Sequence, residues 1–201
     1  MGAELVHSDG DEAVMRDLRR QVRITPSLRA GEQEALLERS ASGDRASRDR
    51  LVAANLAMVI RLAEARQEQG LSVPDLVQEG SLGLVEAVHS FPRDRGDFGT
   101  FAEQRVAEQM DAAIAAEAAS VRDAELLVAA ANDYERTEIL LRKTLLRPAT
   151  EAEIAEKLEW TVERTRYVAQ VVADARRRHD AELLAFIDPD VVDLDDAVDG
   201  E

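Results

Sequence analysis

Three polar residues at helical spacing are the most specific candidates for chemistry in this chain. Asp75, Gln78 and Glu79 occupy positions i, i+3 and i+4, so a helix would place them on one face. Carboxylate and amide oxygens on such a face accept hydrogen bonds from basic side chains, which is the chemistry of recognition. The spacing also fits an ordinary solvated face, because charged residues are mostly exposed.

No catalytic constellation accompanies these residues in the sequence. The chain has no glycine-rich phosphate loop and no cysteine, and its three histidines (His7, His89 and His179) are isolated. Its acidic residues are spread too evenly to nominate a catalytic pair. We therefore expect a protein that is not an enzyme, with no cofactor and no metal site.

The composition predicts an all-α, acidic protein. The 201 residues are 45% hydrophobic but only 3% aromatic, so the cores must be built from Leu, Val, Ile and Ala. There is no apolar run long enough to cross a membrane and no signal-peptide pattern, so we expect a cytoplasmic protein. The net charge of −16 repels duplex DNA at long range and favours a basic protein partner, or an assembly whose other members hold the DNA.

The segment 71–91 is the element that must position the three polar residues. Ser72 predicts an N-cap, Asp75 could complete a capping box with it, and Pro74 suits the first helical turn. A second set of residues recurs at helical spacing and predicts the buried side, with two glycines that admit a close neighbour. This set is Leu76, Gly80, Gly83, Leu84, Ala87 and Phe91.

The run DLVQEGSLGLVEAVHSF closely resembles the core-binding segment of bacterial sigma-70 family transcription initiation factors. The resemblance implies a helix that docks on the coiled-coil clamp helices of the RNA polymerase β′ subunit. Asp75, Gln78 and Glu79 match the contact positions of the family. Ser81 and Val85 stand at two further contact positions, where Asn and the larger Met are usual.

The preceding residues are similar to the family over a longer stretch. Residues 11–44 predict two short helices separated at Thr25-Pro26, with Val14, Leu18 and Val22 on one apolar stripe. Residues 45–69 predict one long amphipathic helix that ends at Gly70. The run RDRLVAANLAMVIRLA within it resembles the first core-binding helix of the family.

The run DFGTFAEQRVAEQMDAAIAAEAASVR resembles the sigma helix that reads and melts the −10 promoter element, but its reading positions are degenerate. Gln104 and Arg105 stand where adjacent Trp residues are usual, Glu108 where Gln often reads a base, and Asp111 where Thr is usual. Aromatic stacking contributes about 1–3 kcal/mol per base, so its loss together with the added carboxylates predicts weak or no independent promoter reading. The helix would then serve only as packing for the core-binding helices. Its predicted apolar stripe is Phe98, Phe101, Val106, Met110 and Ile114.

Beyond a boundary expected at 121–124, residues 122–187 predict three helices. The run PATEAEIAEKLEWTVERTRYVA resembles the small helix-turn-helix-like third domain of sigma factors, with a capping box between Thr150 and Glu153. Arg164 and Arg166 are candidate DNA contacts of this domain, although the basic cluster is local and offset by acidic residues, which favours a solvated face. Residues 1–10 are expected to be flexible. Residues 188–201 form an acidic tail that resembles the start of the sigma linker into the polymerase channel, or is simply disordered.

The expected architecture is therefore a sigma-like core-binding and promoter-melting domain over residues 11–121, followed by the three-helix module. The resemblance implies docking on core RNA polymerase, as a divergent initiation factor or as an occupant of the sigma site that does not initiate. One alternative is a sigma mimic that binds and titrates an anti-sigma factor. Another is a DNA-binding regulator that uses the C-terminal module, against which the net charge counts.

Overall fold

The computed structural model describes residues 9–92 and 96–186. The expected flexible N-terminus lies almost wholly outside these residues, and the expected acidic tail lies entirely outside them. Within the described ranges the chain forms seven helices and no strand, so the all-α prediction is confirmed. The helices are α1 Asp9–Ile24, α2 Glu32–Ala41, α3 Arg45–Glu64, α4 Val73–Ser90, α5 Phe98–Leu145, α6 Glu151–Leu158 and α7 Val162–Phe186.

The described residues separate into two compact units between Val121 and Arg122. Helix α5 contributes its residues up to 121 to the first unit and its remaining residues to the second. The division falls within the boundary expected at 121–124, and α5 continues through these residues as a helix. No glycine or proline occurs from residue 100 to residue 147, and the Ala-rich sequence between them favours an uninterrupted helix.

The core of the first unit lies among α3, α4 and the start of α5. Leu51, Val59, Leu76 and Leu84 are fully or almost fully buried there, and the predicted α5 stripe packs against them. The stripe predicted for α1 is out of phase at its first position. Val14 is exposed and the adjacent Met15 is buried instead, while Leu18 and Val22 pack against the core as expected.

One predicted helix end and one predicted capping contact differ from the structure. Helix α3 stops at Glu64, five residues before the predicted end, and the following turn has positive φ at Glu68 and at Gly70. At the start of α4, the Ser72 hydroxyl accepts the Asp75 N–H at 3.3 Å, which confirms the predicted N-cap. The Asp75 carboxylate accepts the Ser72 O–H at 2.7 Å and not its backbone N–H, so the reciprocal half of the capping box does not form.

The second unit packs the end of α5 against α6 and α7. The capping box predicted before α6 is confirmed, because the Thr150 hydroxyl accepts the Glu153 N–H and the Glu153 carboxylate accepts the Thr150 N–H at 2.8 Å. The Thr161 hydroxyl caps α7 by accepting the Arg164 N–H at 3.2 Å. The buried residues of this core are Ala130, Tyr134, Ile154, Val168 and Val172.

Candidate functional site

Helix α4 has one deeply buried side and one outward side. Leu76, Leu84 and Ala87 are completely buried, so the rotation of the helix about its axis is set by the core. Asp75 and Gln78 are exposed on the other side. The orientation of the outward side is therefore fixed by the buried residues of α4 and not by the outward residues themselves.

Two large apolar residues continue the exposed side of α4. Leu82 is 59% exposed and Val85 is 50% exposed. With Asp75 and Gln78 they form what we call the docking stripe, spaced three, four and three residues apart. This is the a/d spacing of a coiled-coil seam, which follows one face of a helix and meets another helix. Leu82 is not among the contact residues predicted from the sequence. Its position outside the helical period of the buried residues is nevertheless a signal that its side chain is exposed.

The other two predicted contact residues of α4 lie partly buried. Glu79 sits beside the docking stripe, and its Oε2 accepts a hydrogen bond from Nε2 of Gln109 on α5 at 2.9 Å. The hydroxyl of Ser81 donates to the backbone carbonyl of Val77 at 2.6 Å. Ser81 is thus engaged within its own helix, whereas Glu79 is held by a second helix.

Helices α4 and α5 cross closely at two glycines. An added Cβ at Gly83 would lie 2.9 Å from the Arg105 carbonyl oxygen and 2.9 Å from the Gln109 Cβ. At Gly80 it would lie 2.2 Å from the Met110 Cε. The small residues predicted to admit a close neighbour do so, and this crossing brings Gln109 within reach of Glu79. Gln109 carries no sequence signal that could have singled it out.

The degenerate reading positions of α5 bond mainly to one another. Glu108 accepts from Gln104 at 2.8 Å and from Arg105 at 3.1 Å. These two hydrogen bonds lower the pKa of the Glu108 carboxyl below its ordinary value. The Arg105 guanidinium also lies 5.7 Å from the ring centroid of Phe101. The single basic group of this set is therefore already paired.

The fourth reading position is paired with another helix. The Asp111 carboxylate receives two hydrogen bonds from Arg66, at 2.7 and 3.4 Å. About two turns further toward the N-terminus of α5, Glu103 receives a hydrogen bond from Arg61 at 2.8 Å. Arg61 lies in the last turn of α3, and Arg66 follows this helix. Both arginines neutralise carboxylates of α5 and are therefore already paired within the protein.

The two candidate DNA contacts of the second unit also have intramolecular partners. The Arg164 guanidinium lies over the Trp160 ring, 4.4 Å from its centroid. Arg166 forms an ion pair with Glu151 at 3.0 Å. Other arginines of this unit are paired as well, namely Arg142, Arg147, Arg176 and Arg177. The basic residues that the sequence groups in this module are thus largely paired with carboxylates.

Over the ranges 9–92 and 96–186 the structure holds no cluster of His, Cys, Asp and Glu side chains suited to a metal ion. None of the helices in these ranges is long and apolar enough to cross a membrane.

Comparison with known proteins identifies the class that this arrangement represents. The family model for sigma-70 region 2 matches residues 51–116, which contain most of α3, all of α4 and the start of α5. Residues 51–116 are therefore similar to sigma-70 region 2, in agreement with the sequence resemblance.

Similar curated proteins include RNA polymerase sigma factors named SigA. The one from a Synechocystis species is 37% identical over 128 residues, which cover 63% of this chain and 30% of the relative. The one from a Nostoc species is 35% identical over 127 residues, covering 63% and 33%. The one from a Bacillus species is 31% identical over 156 residues, covering 77% and 41%. The chain thus spans less than half the length of these curated relatives.

Proposed function

We propose that this protein is a sigma-like transcription factor that docks through the α4 stripe on the β′ clamp helices of core RNA polymerase. It does so as a divergent initiation factor or as an occupant of the sigma site, with weak or no independent reading of the −10 element. The observation that carries the proposal is the docking stripe itself. Its four residues combine two acceptor side chains with two exposed apolar ones at coiled-coil spacing.

The apolar half of the stripe supplies binding energy. Complete burial of a Leu or Val side chain contributes about 1.5–3 kcal/mol relative to full exposure. Leu82 and Val85 are already about half covered, so each would contribute roughly 1 kcal/mol when a partner helix covers the rest. This contribution requires a partner surface that is complementary in shape to the docking stripe, and another helix provides such a surface.

The polar half of the stripe supplies orientation and partner choice. Asp75 and Gln78 are exposed acceptors at its N-terminal end, and Glu79 adds a carboxylate beside them. Charge-assisted hydrogen bonds from Arg or Lys of a partner are stronger than neutral ones, and the net charge of −16 attracts a basic surface. A coiled coil with basic side chains on one face fits both halves of the stripe.

The proposal of weak promoter reading is supported by the bonding of the α5 face. A protein gains affinity for DNA by exchanging counterions for its own cations, and Arg105, Arg61 and Arg66 are already paired with carboxylates. No tryptophan occupies the two positions that stack on bases in the family. The carboxylate of Glu108 repels phosphates from the same face.

A competition assay tests the docking proposal. Core RNA polymerase is loaded with a fluorescently labelled housekeeping sigma factor, and the unlabelled protein is titrated against it. We expect wild-type protein to displace the label. Val85→Glu replaces an apolar contact of the docking stripe with a carboxylate that the partner helix would desolvate. It should weaken displacement by at least tenfold, since burying a charge costs several kcal/mol. The double variant Gln78→Ala, Glu79→Arg should weaken it as well.

Val128→Glu is the matched control. Val128 is 62% exposed on α5 in the second unit, so it receives the same chemical change outside the docking stripe. It should displace the label as wild type does. Equal displacement by Val85→Glu and Val128→Glu would refute docking through α4.

The same preparation separates the alternatives. Failure of the wild-type protein to displace the label, with tight binding to an anti-sigma factor, would replace the proposal with the titrating mimic. Sequence-specific DNA binding by the free protein that survives physiological salt would revive the DNA-binding regulator. If displacement occurs, promoter opening by the resulting complex distinguishes a divergent initiation factor from a sigma-site occupant.

A further inference from the structure

The hydrogen bond between Gln109 and Glu79 joins residues that are 30 positions apart in sequence. It links α5 to the edge of the docking stripe on α4. We infer that Gln109 is a positioning residue, which orients the Glu79 carboxylate for a basic group of the docking partner. The inference rests on the proposed function and assigns a role to a residue that the sequence does not single out.

The geometry of the contact favours orientation over simple packing. Nε2 of Gln109 donates to Oε2 of Glu79 at 2.9 Å, a good length for an amide donor and a carboxylate acceptor. Both side chains are half-buried, so water competes for this bond less than on an open surface. Among the described residues, Oε1 of Glu79 receives no hydrogen bond and stays available to a donor of the partner.

The helix crossing explains why this bond is restrained. With no side chain on Gly83, the Cβ of Gln109 approaches within 2.9 Å of the place where a Gly83 Cβ would stand. The side chain of Gln109 therefore begins directly against α4. A glutamate on a free helix surface would instead sample many rotamers and lose that freedom on binding.

We expect removal of the Gln109 donor to lower the affinity for the docking partner while the folded surface of α4 is retained. Without this hydrogen bond, the Glu79 side chain must be ordered when the partner binds. The entropy lost in ordering one long side chain corresponds to about a threefold to tenfold change in affinity. Gln109→Met keeps the length and the contact with Gly83 but removes the N–H donor. It should weaken displacement of the labelled sigma factor by that factor, and the thermal unfolding midpoint should stay close to that of wild type.

A double-mutant cycle distinguishes positioning from a general structural role. In a Glu79→Ala background there is no carboxylate to orient, so adding Gln109→Met should cause no further loss. Gln170→Ala changes an exposed glutamine of α7 and serves as the control that should bind as wild type does. Additive losses in the cycle, or wild-type affinity of Gln109→Met, would overturn the positioning role.

The result also separates this inference from the docking proposal. If wild type displaces the label and Val85→Glu does not, while Gln109→Met behaves as wild type, only the positioning role fails. If wild type does not displace the label at all, the docking proposal fails and the positioning role fails with it.

Discussion

Replacing Gly83 by Ala tests the helix crossing on which the positioning role of Gln109 depends. The added Cβ would lie 2.9 Å from the carbonyl oxygen of Arg105, 2.9 Å from the Cβ of Gln109 and 3.2 Å from the Cα of Val106. Two of these three neighbours are backbone atoms of α5, and the third is fixed to the backbone. No change of rotamer can therefore relieve the contact, and α4 and α5 must move apart.

The magnitude follows from these distances. Carbon atoms are best separated by about 3.5–4.0 Å, so the helices must shift by roughly 0.5 Å or more. Overpacking of a core costs about 1–3 kcal/mol, and backbone neighbours place this site at the upper end. Ala is favoured over Gly within a helix by about 1 kcal/mol, which offsets part of the cost. We expect the free energy of unfolding to fall by about 2 kcal/mol.

Urea unfolding followed by circular dichroism measures this change. With a urea dependence of about 2 kcal/mol per molar, the midpoint should fall by about 1 M. Gly99→Ala is the matched control at another helical glycine, because its added Cβ would meet only the exposed carboxylate of Asp97, at 3.0 Å. Its midpoint should stay or rise. If Gly83→Ala leaves the midpoint where Gly99→Ala does, the two helices are not in close contact and the reasoning is refuted.

Two further predictions concern paired charges. Hydrogen bonds, first from Arg147, hold the pKa of Glu153 at about 2, below its ordinary value of 4.5. The stabilisation by Glu153 is therefore complete above about pH 4.5 and is lost as the pH falls toward 2. Glu153→Gln should make the free energy of unfolding less sensitive to acid, as measured by Trp160 fluorescence. An unchanged dependence on pH would contradict this. Arg66→Ala removes a largely buried guanidinium from Asp111 and should lower the free energy of unfolding by about 1 kcal/mol, with an unmoved urea midpoint as the contrary result.

The sequence determined the class of structure and the two sides of α4. Its period of apolar residues requires Leu76 and Leu84 to face a core, and the same period leaves Asp75 and Gln78 outside. Ser72 and Thr150 mark helix starts because a cap bonds to residues two or three positions on, which is a local relation. Features of this kind depend on neighbours in the chain, so they can be predicted from it.

Helix ends without such signals were less predictable. Helix α3 ends at Glu64, before the stop that Gly70 predicts. Helix α5 continues through residues 121–124, and no cap marks this continuation. Both depend on how far the neighbouring packing extends, since the intrinsic preferences of these residues differ by only a few tenths of a kcal/mol.

Only the tertiary structure decided which side chains meet across the helices. Gln109 reaches Glu79 across 30 residues, and Arg66 reaches Asp111 across 45. The approach of α5 to α4 at Gly83 sets the first of these contacts, and a helical period contains no information about the position of a second helix. The sequence therefore identifies the residues that face outward, while the crossing of the helices determines which of them are held in place.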